Sequence, residues 1–382
     1  MWLKMSGLAS VYVNVKHIVA RPPPTDRRIA LNHLESQLNY PFGDTVPVPG
    51  QLHALAPGLQ WLRMPLPFAL DHINLWLLRD ELGGKSGWSV VDCGVANDAT
   101  RAAWAEIFAT MDGEGLVRVI ATHCHPDHVG LSEWLCTQFD APFWATTGEY
   151  GFARMMSAAL PGVDGVAAIP HFERHGLTDP ILREKMGERR NYYPSLVPAV
   201  PLPYTRMQDG DVVTVGGRGW RVITGFGHSP EHASLYCEEL GILISGDMVL
   251  PRISTNVSVF AVEPEGNPLQ LYLNSLDKLS GLPEDTLILP SHGKPFRGLH
   301  TRIAQLKAHH SDRLAEVLQA CQAPVSAVDI VPIMFRRPLD THQLSFALGE
   351  ALAHLHKLWV DGLVQRTRDA DGVFRFQLSQ NS

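Results

Sequence analysis

Cysteine is sparse here. Cys93, Cys124, Cys136, Cys237 and Cys321 are the only five in 382 residues, odd in number, scattered and without a C-x-x-C pair. That pattern fits free thiols in a reducing compartment rather than a disulfide framework, so a cytoplasmic protein is expected. Charge is low as well: charged residues make up 19% and the net charge is −7, so no global field draws the chain to nucleic acid or an anionic membrane. Long apolar runs are missing too, and none approaches the roughly 18 to 20 residues that span a bilayer. The opening MWLKMSGLASVYVNVKHIVA imitates a signal peptide, but Asn14 and Lys16 interrupt it and no small-residue cleavage site follows. What the chain does have is 45% apolar content, enough for one large domain plus a smaller one.

Residues 1–51, with the polar RPPPTDRR, read as an extension or arm. Regular structure is expected from GLQWLRMPLP and DHINLWLLRD as strands, then the β-rich GWSVVDCG, an amphipathic helix in ATRAAWAEIFATM and, in LVRVIATHCHPDH, a strand up to Thr122. VGLSEWLCTQF continues as a helix and APFWAT as a strand. Residues 148–204 break this rhythm with helical pieces and the proline-rich YYPSLVPAVPLPY, and read as an inserted cap. DVVTVGGRGWRVITGFG, HASLYCEELGILISGD and DTLILPSHG restore the β pattern and complete a domain over 52–299. Residues 300–382 turn to helices with a short β end, the composition of a small appended domain.

The stretch THCHPDHVG follows a strand, where α/β proteins place their ligands. His123, His125 and His128, two and three residues apart, can converge on one centre with Asp127 among them. The same residues also fit a plain helix start, with Asp127 as N-cap and the histidines exposed. His228, Asp247 and His292 tip the balance, because each ends a later β run. Five histidines and two aspartates suffice for two adjacent metal ions with room for water.

This H-x-H-x-D-H motif, followed by a distant His, Asp and His, resembles the metallo-β-lactamase superfamily, in its glyoxalase-II-like hydrolase branch, over about Leu52 to Phe296. The resemblance implies an α/β fold, a four-layer αββα sandwich, into which the helical cap of residues 148–204 would be inserted. It implies that His123, His125 and His228 bind one metal, Asp127, His128 and His292 the other, and Asp247 bridges them. DHINLWLL and VVDCG also resemble the branch's opening strands, with Cys93 where threonine is common; Asp92 would orient a ligand. Imidazole and carboxylate ligands suit Zn²⁺, and also Mn²⁺ or Fe²⁺. The implied chemistry is a metal-bridging hydroxide attacking a carbonyl or phosphoryl centre, with Asp127 as catalytic residue that holds it and passes a proton to the leaving group.

Other residues carry competing readings. His232 is taken as structural, orienting the site rather than adding an eighth ligand, and Cys124 as a buried thiol pointing away from its neighbours. His72 suits a hydrogen-bonding role, and a solvated helix face accounts for His309 and His310. In the cap, Phe152, Met155, Met156, Phe172, Tyr192 and Tyr193 either line an apolar substrate pocket or pack internally; Phe152, Met156, Tyr192 and Tyr193 are the substrate-binding candidates. Arg189 and Arg190 would meet an anionic group or simply solvate the surface.

The tail is similar to the winged-helix domain that follows the catalytic domain in lactamase-like endoribonucleases. From His300 onward, however, it holds nine Lys/Arg against eight Asp/Glu, and QLSFALGEALAHLHKLWVDG has a single lysine. That is no phosphate-tracking surface, so packing or dimerisation is expected of it. The leading expectation is therefore a dinuclear hydrolase acting on a small-molecule thioester, ester or lactone, with homo-oligomers conceivable and no membrane partner. A β-lactamase fits less well, since Asp247 supplies a bridging carboxylate. Phosphodiester or RNA cleavage is the alternative, and a non-catalytic metal-binding regulator a third reading.

Overall fold

The computed structural model describes residues 34–68, 70–163, 166–188 and 192–379. Most of the expected N-terminal arm, together with Arg189 and Arg190, lies outside them. Alternation of side chains along the strands builds two sheets face to face. The first runs in chain order through β1 (His53–Ala56), β2 (Leu59–Pro65), β3 (His72–Leu82), β4 (Lys85–Val91), β5 (Leu116–Ile120), β6 (Phe143–Thr146) and β7 (Thr205–Met207). Hairpins make its first four strands antiparallel, and helical crossovers make the rest parallel. The crossovers hold α1 (Asp98–Ala109), α2 (Pro126–Val129) and α3 (Ser132–Phe139), then α4 (Thr147–Ser157), α5 (Ala168–Glu173), α6 (Pro180–Gly187) and α7 (Tyr192–Leu196) between β6 and β7.

The second sheet has the order β12-β11-β10-β9-β8, from β8 (Val212–Val215), β9 (Arg218–Gly225), β10 (His232–Cys237), β11 (Ile242–Gly246) and β12 (Leu287–Pro290). The connection carrying α8 (Pro268–Leu279) makes β11 and β12 parallel. The chain ends in α9 (Leu299–Ala320), α10 (Ala327–Met334), α11 (Thr341–Val360) and the hairpin of β13 (Val364–Arg368) and β14 (Phe374–Leu378).

Trp61, Trp76 and Leu78 face Trp220, Leu235 and Ile244 in the core between the sheets. Their sequence neighbours Leu62, Leu75 and Leu77 face outward onto the α1 and α3 layer, and Leu243 and Ile288 onto α8, α9 and α11. A period of two thus feeds both faces of each sheet, giving helix, sheet, sheet, helix in four layers. The carboxyl ends of β5, β9, β11 and β12 meet at one edge of the sandwich, where the histidines and aspartates converge. Among the described residues no helix is long and apolar enough to cross a membrane.

Candidate metal centre

The peptide leaving β5 supplies His123 and His125, and α2 starts at once with Pro126 in its first turn. His125, not Asp127, occupies the N-cap position, and its side chain makes no capping bond. The helix-start reading of this stretch therefore fails: the imidazoles turn inward, with His123 and His128 fully buried.

Two groups of ligand atoms result. In the first, His123 Nε2 lies 2.9 Å from His125 Nδ1 and 3.2 Å from His228 Nε2, with Asp247 Oδ2 3.4 Å from His228. In the second, Asp127 Oδ2 is 3.6 Å from His128 Nε2 and 3.4 Å from His292 Nε2. Asp247 Oδ1 faces this second group, 3.6 Å from both His128 and His292. One carboxylate therefore divides its two oxygens between the groups.

Whether these atoms fit metal ions follows from spacing and from what else they bind. Ligands about 2.0 to 2.1 Å from a tetrahedral ion sit about 3.3 Å from one another, close to the separations found here. Two buried atoms, His128 Nε2 and Asp247 Oδ1, have no hydrogen-bond partner and both face the second group. Unpaired buried polar atoms are costly, and a cation there would satisfy them. Charge points the same way. Burial and neighbouring imidazoles hold His123 well below its ordinary pKa and push His125 down to about 3, so both stay neutral. Burial opposes ionisation of Asp127, but His128 and His292 bring it down to about 2. Burial would likewise lower His128, yet Asp92, Asp127 and Asp247 raise it to about 10. Neutral imidazoles on one side and a field that stabilises positive charge on the other suit divalent cations.

The opposite nitrogen is tied down in the rings of His128, His228 and His292. Asp92 adopts φ 66° just past β4, and its carboxylate accepts from the Thr122 amide at 2.7 Å, the Thr122 hydroxyl at 2.8 Å and His128 Nδ1 at 2.8 Å. His228 Nδ1 donates to the Asn256 carbonyl at 2.7 Å, and His292 Nδ1 to the His72 carbonyl at 2.9 Å. Protons held on Nδ1 leave the Nε2 lone pairs facing the centre. His232 Nε2 accepts from the Asp247 amide at 3.1 Å, so its ring positions the bridging aspartate. Gly246 (φ 53°) precedes that aspartate, and a Cβ there would run into the His232 ring.

Several residues that hold the site together carried no signal in the sequence. Glu149 in the first turn of α4 is buried and accepts from the Cys124 amide at 2.8 Å, the Ser229 hydroxyl at 2.7 Å and the Glu231 amide at 2.6 Å. One carboxylate thus links the loops that carry His123, His125 and His228; burial raises its pKa. On the other side, Asn74 donates to the Pro290 carbonyl at 2.7 Å and Arg63 to the Gly293 carbonyl at 2.5 Å, fixing the His292 turn. His72, expected from the sequence to hydrogen-bond, does so here: its Nε2 accepts from the Gly293 amide at 3.0 Å.

The remaining sequence candidates fall into place around these. Cys124 is buried behind the metal loop. Tyr193 is also buried and donates its hydroxyl to the Cys124 carbonyl at 2.5 Å, so it supports the loop from below. Phe152 and Met156 pack, half-buried, on the layer over the first sheet, and the Tyr192 ring lies 6.5 Å from Phe68. Phe172 is buried in the opposite core, with the C-terminal helices. His310 corrects the solvated-face expectation: it is fully buried between Tyr272 and His354, because α11 covers that side of α9.

A four-layer sandwich with a His/Asp centre at the strand ends defines a class of metal-dependent hydrolases. Residues 69–292 match the family described as the Metallo-beta-lactamase superfamily, and residues 314–379 match Metallo-beta-lactamase-like, C-terminal domain. The chain belongs to the metallo-β-lactamase superfamily of hydrolases. It is similar to a crystallised beta-lactamase domain protein from Burkholderia ambifaria, 57% identical, covering 91% of this chain and all of that one with a TM-score of 0.86. A probable metallo-hydrolase, YqjP of Bacillus subtilis, is 22% identical over 82% of this chain and 96% of its own length. The acyl-coenzyme A thioesterase MBLAC2 of Gallus gallus is 29% identical over 63% of this chain and 80% of its own.

Proposed function

We propose that the chain is a dinuclear hydrolase of the glyoxalase-II-like branch that cleaves a thioester, or failing that an ester or lactone. The observation that carries the dinuclear reading is the split of Asp247, with Oδ2 toward His228 and Oδ1 toward His128 and His292. His123, His125 and His228 would hold one ion and Asp127, His128 and His292 the other, most readily Zn²⁺, with Mn²⁺ or Fe²⁺ also compatible. Such a pair supplies a nucleophile from water at neutral pH and a Lewis acid for the developing oxyanion. Asp127 contributes a partly exposed carboxylate of the second group, ionised at neutral pH and placed to receive and return a proton. Asp92, His232 and Glu149 hold the ligands in position. A thioester is favoured because the relative MBLAC2 is named for that activity.

The tail supports this reading over RNA cleavage. The order helix, short strand contact, two helices and hairpin, with Val325 bridging to Phe376, supports the winged-helix resemblance. Yet residues 347–356 of α11, in the place of a recognition helix, are buried on every side. A helix with no free face there has nothing to lay in a groove. We place the protein in the cytoplasm on the strength of its five buried free cysteines.

The test is a hydrolysis panel of acyl-thioesters, lactones, aryl esters, bis-aryl phosphodiesters and short RNA, run on the metal-loaded protein. Turnover of a thioester, ester or lactone, abolished by Asp127→Ala in a folded protein, is the expected result. Hydrolysis confined to RNA would reverse the ranking.

A further inference from the structure

The segment after Asp247 has no regular secondary structure up to Gly266, so its buried peptide groups need partners from elsewhere. Near the centre those partners are two ligands: the Asn256 carbonyl accepts from His228 Nδ1 at 2.7 Å, and the Thr255 hydroxyl donates to the Asp247 carbonyl at 2.5 Å. Away from it, beyond the Val249 carbonyl held by Ser245 and the Met248 carbonyl held by Tyr272 of α8, partners come from the C-terminal helices. Arg302 in the first turn of α9, itself buried, donates to the Leu250 carbonyl at 2.6 Å and the Ile253 carbonyl at 2.8 Å. In α11 the Gly349 carbonyl accepts from the Val259 amide at 3.1 Å, and buried Glu350 hydrogen-bonds the Asn256 side chain. Met248, Val249, Val257 and Val259 pack into the same core as α9 and α11.

We propose that α9 and α11 are part of the scaffold of the metal centre: through Arg302, Gly349 and Glu350 they fix segment 248–259, which in turn aims His228 and Asp247. This gives the C-terminal domain a positioning role in hydrolysis, in place of a binding surface of its own. The inference rests on reading His228 and Asp247 as metal ligands.

Gly349 provides a test whose sign separates positioning from general stability. A Cβ there would lie 2.7 Å from both Cβ and Oγ of Ser258, forcing the segment away from α11. In helix propensity alone, replacing an interior glycine by alanine favours the helix. Full-length wild type, Gly349→Ala, Ser258→Gly and the double variant are stripped and titrated with Zn²⁺ against a chelator. Absorption spectra of the Co²⁺-loaded forms report ligand geometry. The expected result is that Gly349→Ala loses at least about tenfold in affinity for the ion held by His228, with an altered cobalt spectrum. Ser258→Gly, which removes the obstructing side chain, should lose less, and added to Gly349→Ala should recover most of the deficit.

Wild-type affinity and spectrum in Gly349→Ala would overturn the proposal. So would a deficit, or a failure to fold, that Ser258→Gly leaves unchanged. Wild type binding no metal would instead sink the ligand reading on which the proposal stands.

Discussion

Glu149 shows how a single buried carboxylate organises three ligands without touching them. Its oxygens take the Cys124 amide from one ligand loop and the Ser229 and Glu231 donors from the other. Glutamine has the same shape but turns an NH₂ either on the Cys124 amide or on the Ser229 and Glu231 donors, where an acceptor is needed. Glu149→Gln should therefore lower affinity at the His123, His125 and His228 group by about 10- to 100-fold and spare the other ion. Metal titration followed by elemental analysis checks this; equal weakening of both ions would contradict it. The difference between Glu149 and the ligands also marks what was legible in the sequence. His228, Asp247 and His292 could be picked out because imidazole or carboxylate at successive strand ends is unusual. Glu149 lies in an ordinary helix first turn, and its partners, 25, 80 and 82 residues away, are joined to it only by the fold.

Among the elements, α2 is the most constrained. It is four residues long and has to place Asp127 and His128 while leaving room for the chain behind it. Gly130 makes that room: a Cβ there would come within 2.5 to 2.7 Å of the carbonyl oxygens of Pro126, Gly94 and Leu196. Backbone atoms yield little, so Gly130→Ala should cost about 1 to 3 kcal/mol, as overpacking does. Urea unfolding of the metal-free form measures it, and an unchanged midpoint would show that the loop has slack. The strands and principal helices are readable from period and length, since the near-continuous apolar run of β3 announces a strand buried on both faces. For α11 the sequence leaves packing and dimerisation both open. Its sequence looks merely apolar, and only the positions of α8, α9 and α10 show that residues 347–356 have no exposed face.

For the molecule as a whole, the C-terminal core is built with neutral histidines. Burial, reinforced by nearby cations and imidazoles, lowers His171 and His354 to about 4, His310 to about 3 and His175 to about 2. Arg174 and His356 act on both His171 and His175, Arg366 on His175, and His309 on His310 and His354. In an unfolded chain a histidine takes its proton near pH 6.5, so from there down to about pH 4 the unfolded state binds more protons. Stability must fall as pH falls through that window, by at most about 1.4 kcal/mol per pH unit for each histidine. Glu350, raised to about 7 by burial, pulls the other way and offsets about one of the four. Melting curves of the chelator-treated protein should drop steadily from pH 6.5 to 5, and a flat profile would contradict this reading. Chelation matters, because acid release of metal would otherwise add to the effect.

The two-ion centre turns on a carboxylate shared between two groups of ligands. Its most direct test is the metal content of the purified, zinc-loaded chain, measured beside His292→Ala. About two ions per wild-type chain and about one in the variant are expected, since His123, His125, His228 and Asp247 survive the change. A wild type that binds none after loading with Zn²⁺, Mn²⁺ or Fe²⁺, or a variant that keeps both ions, would contradict it.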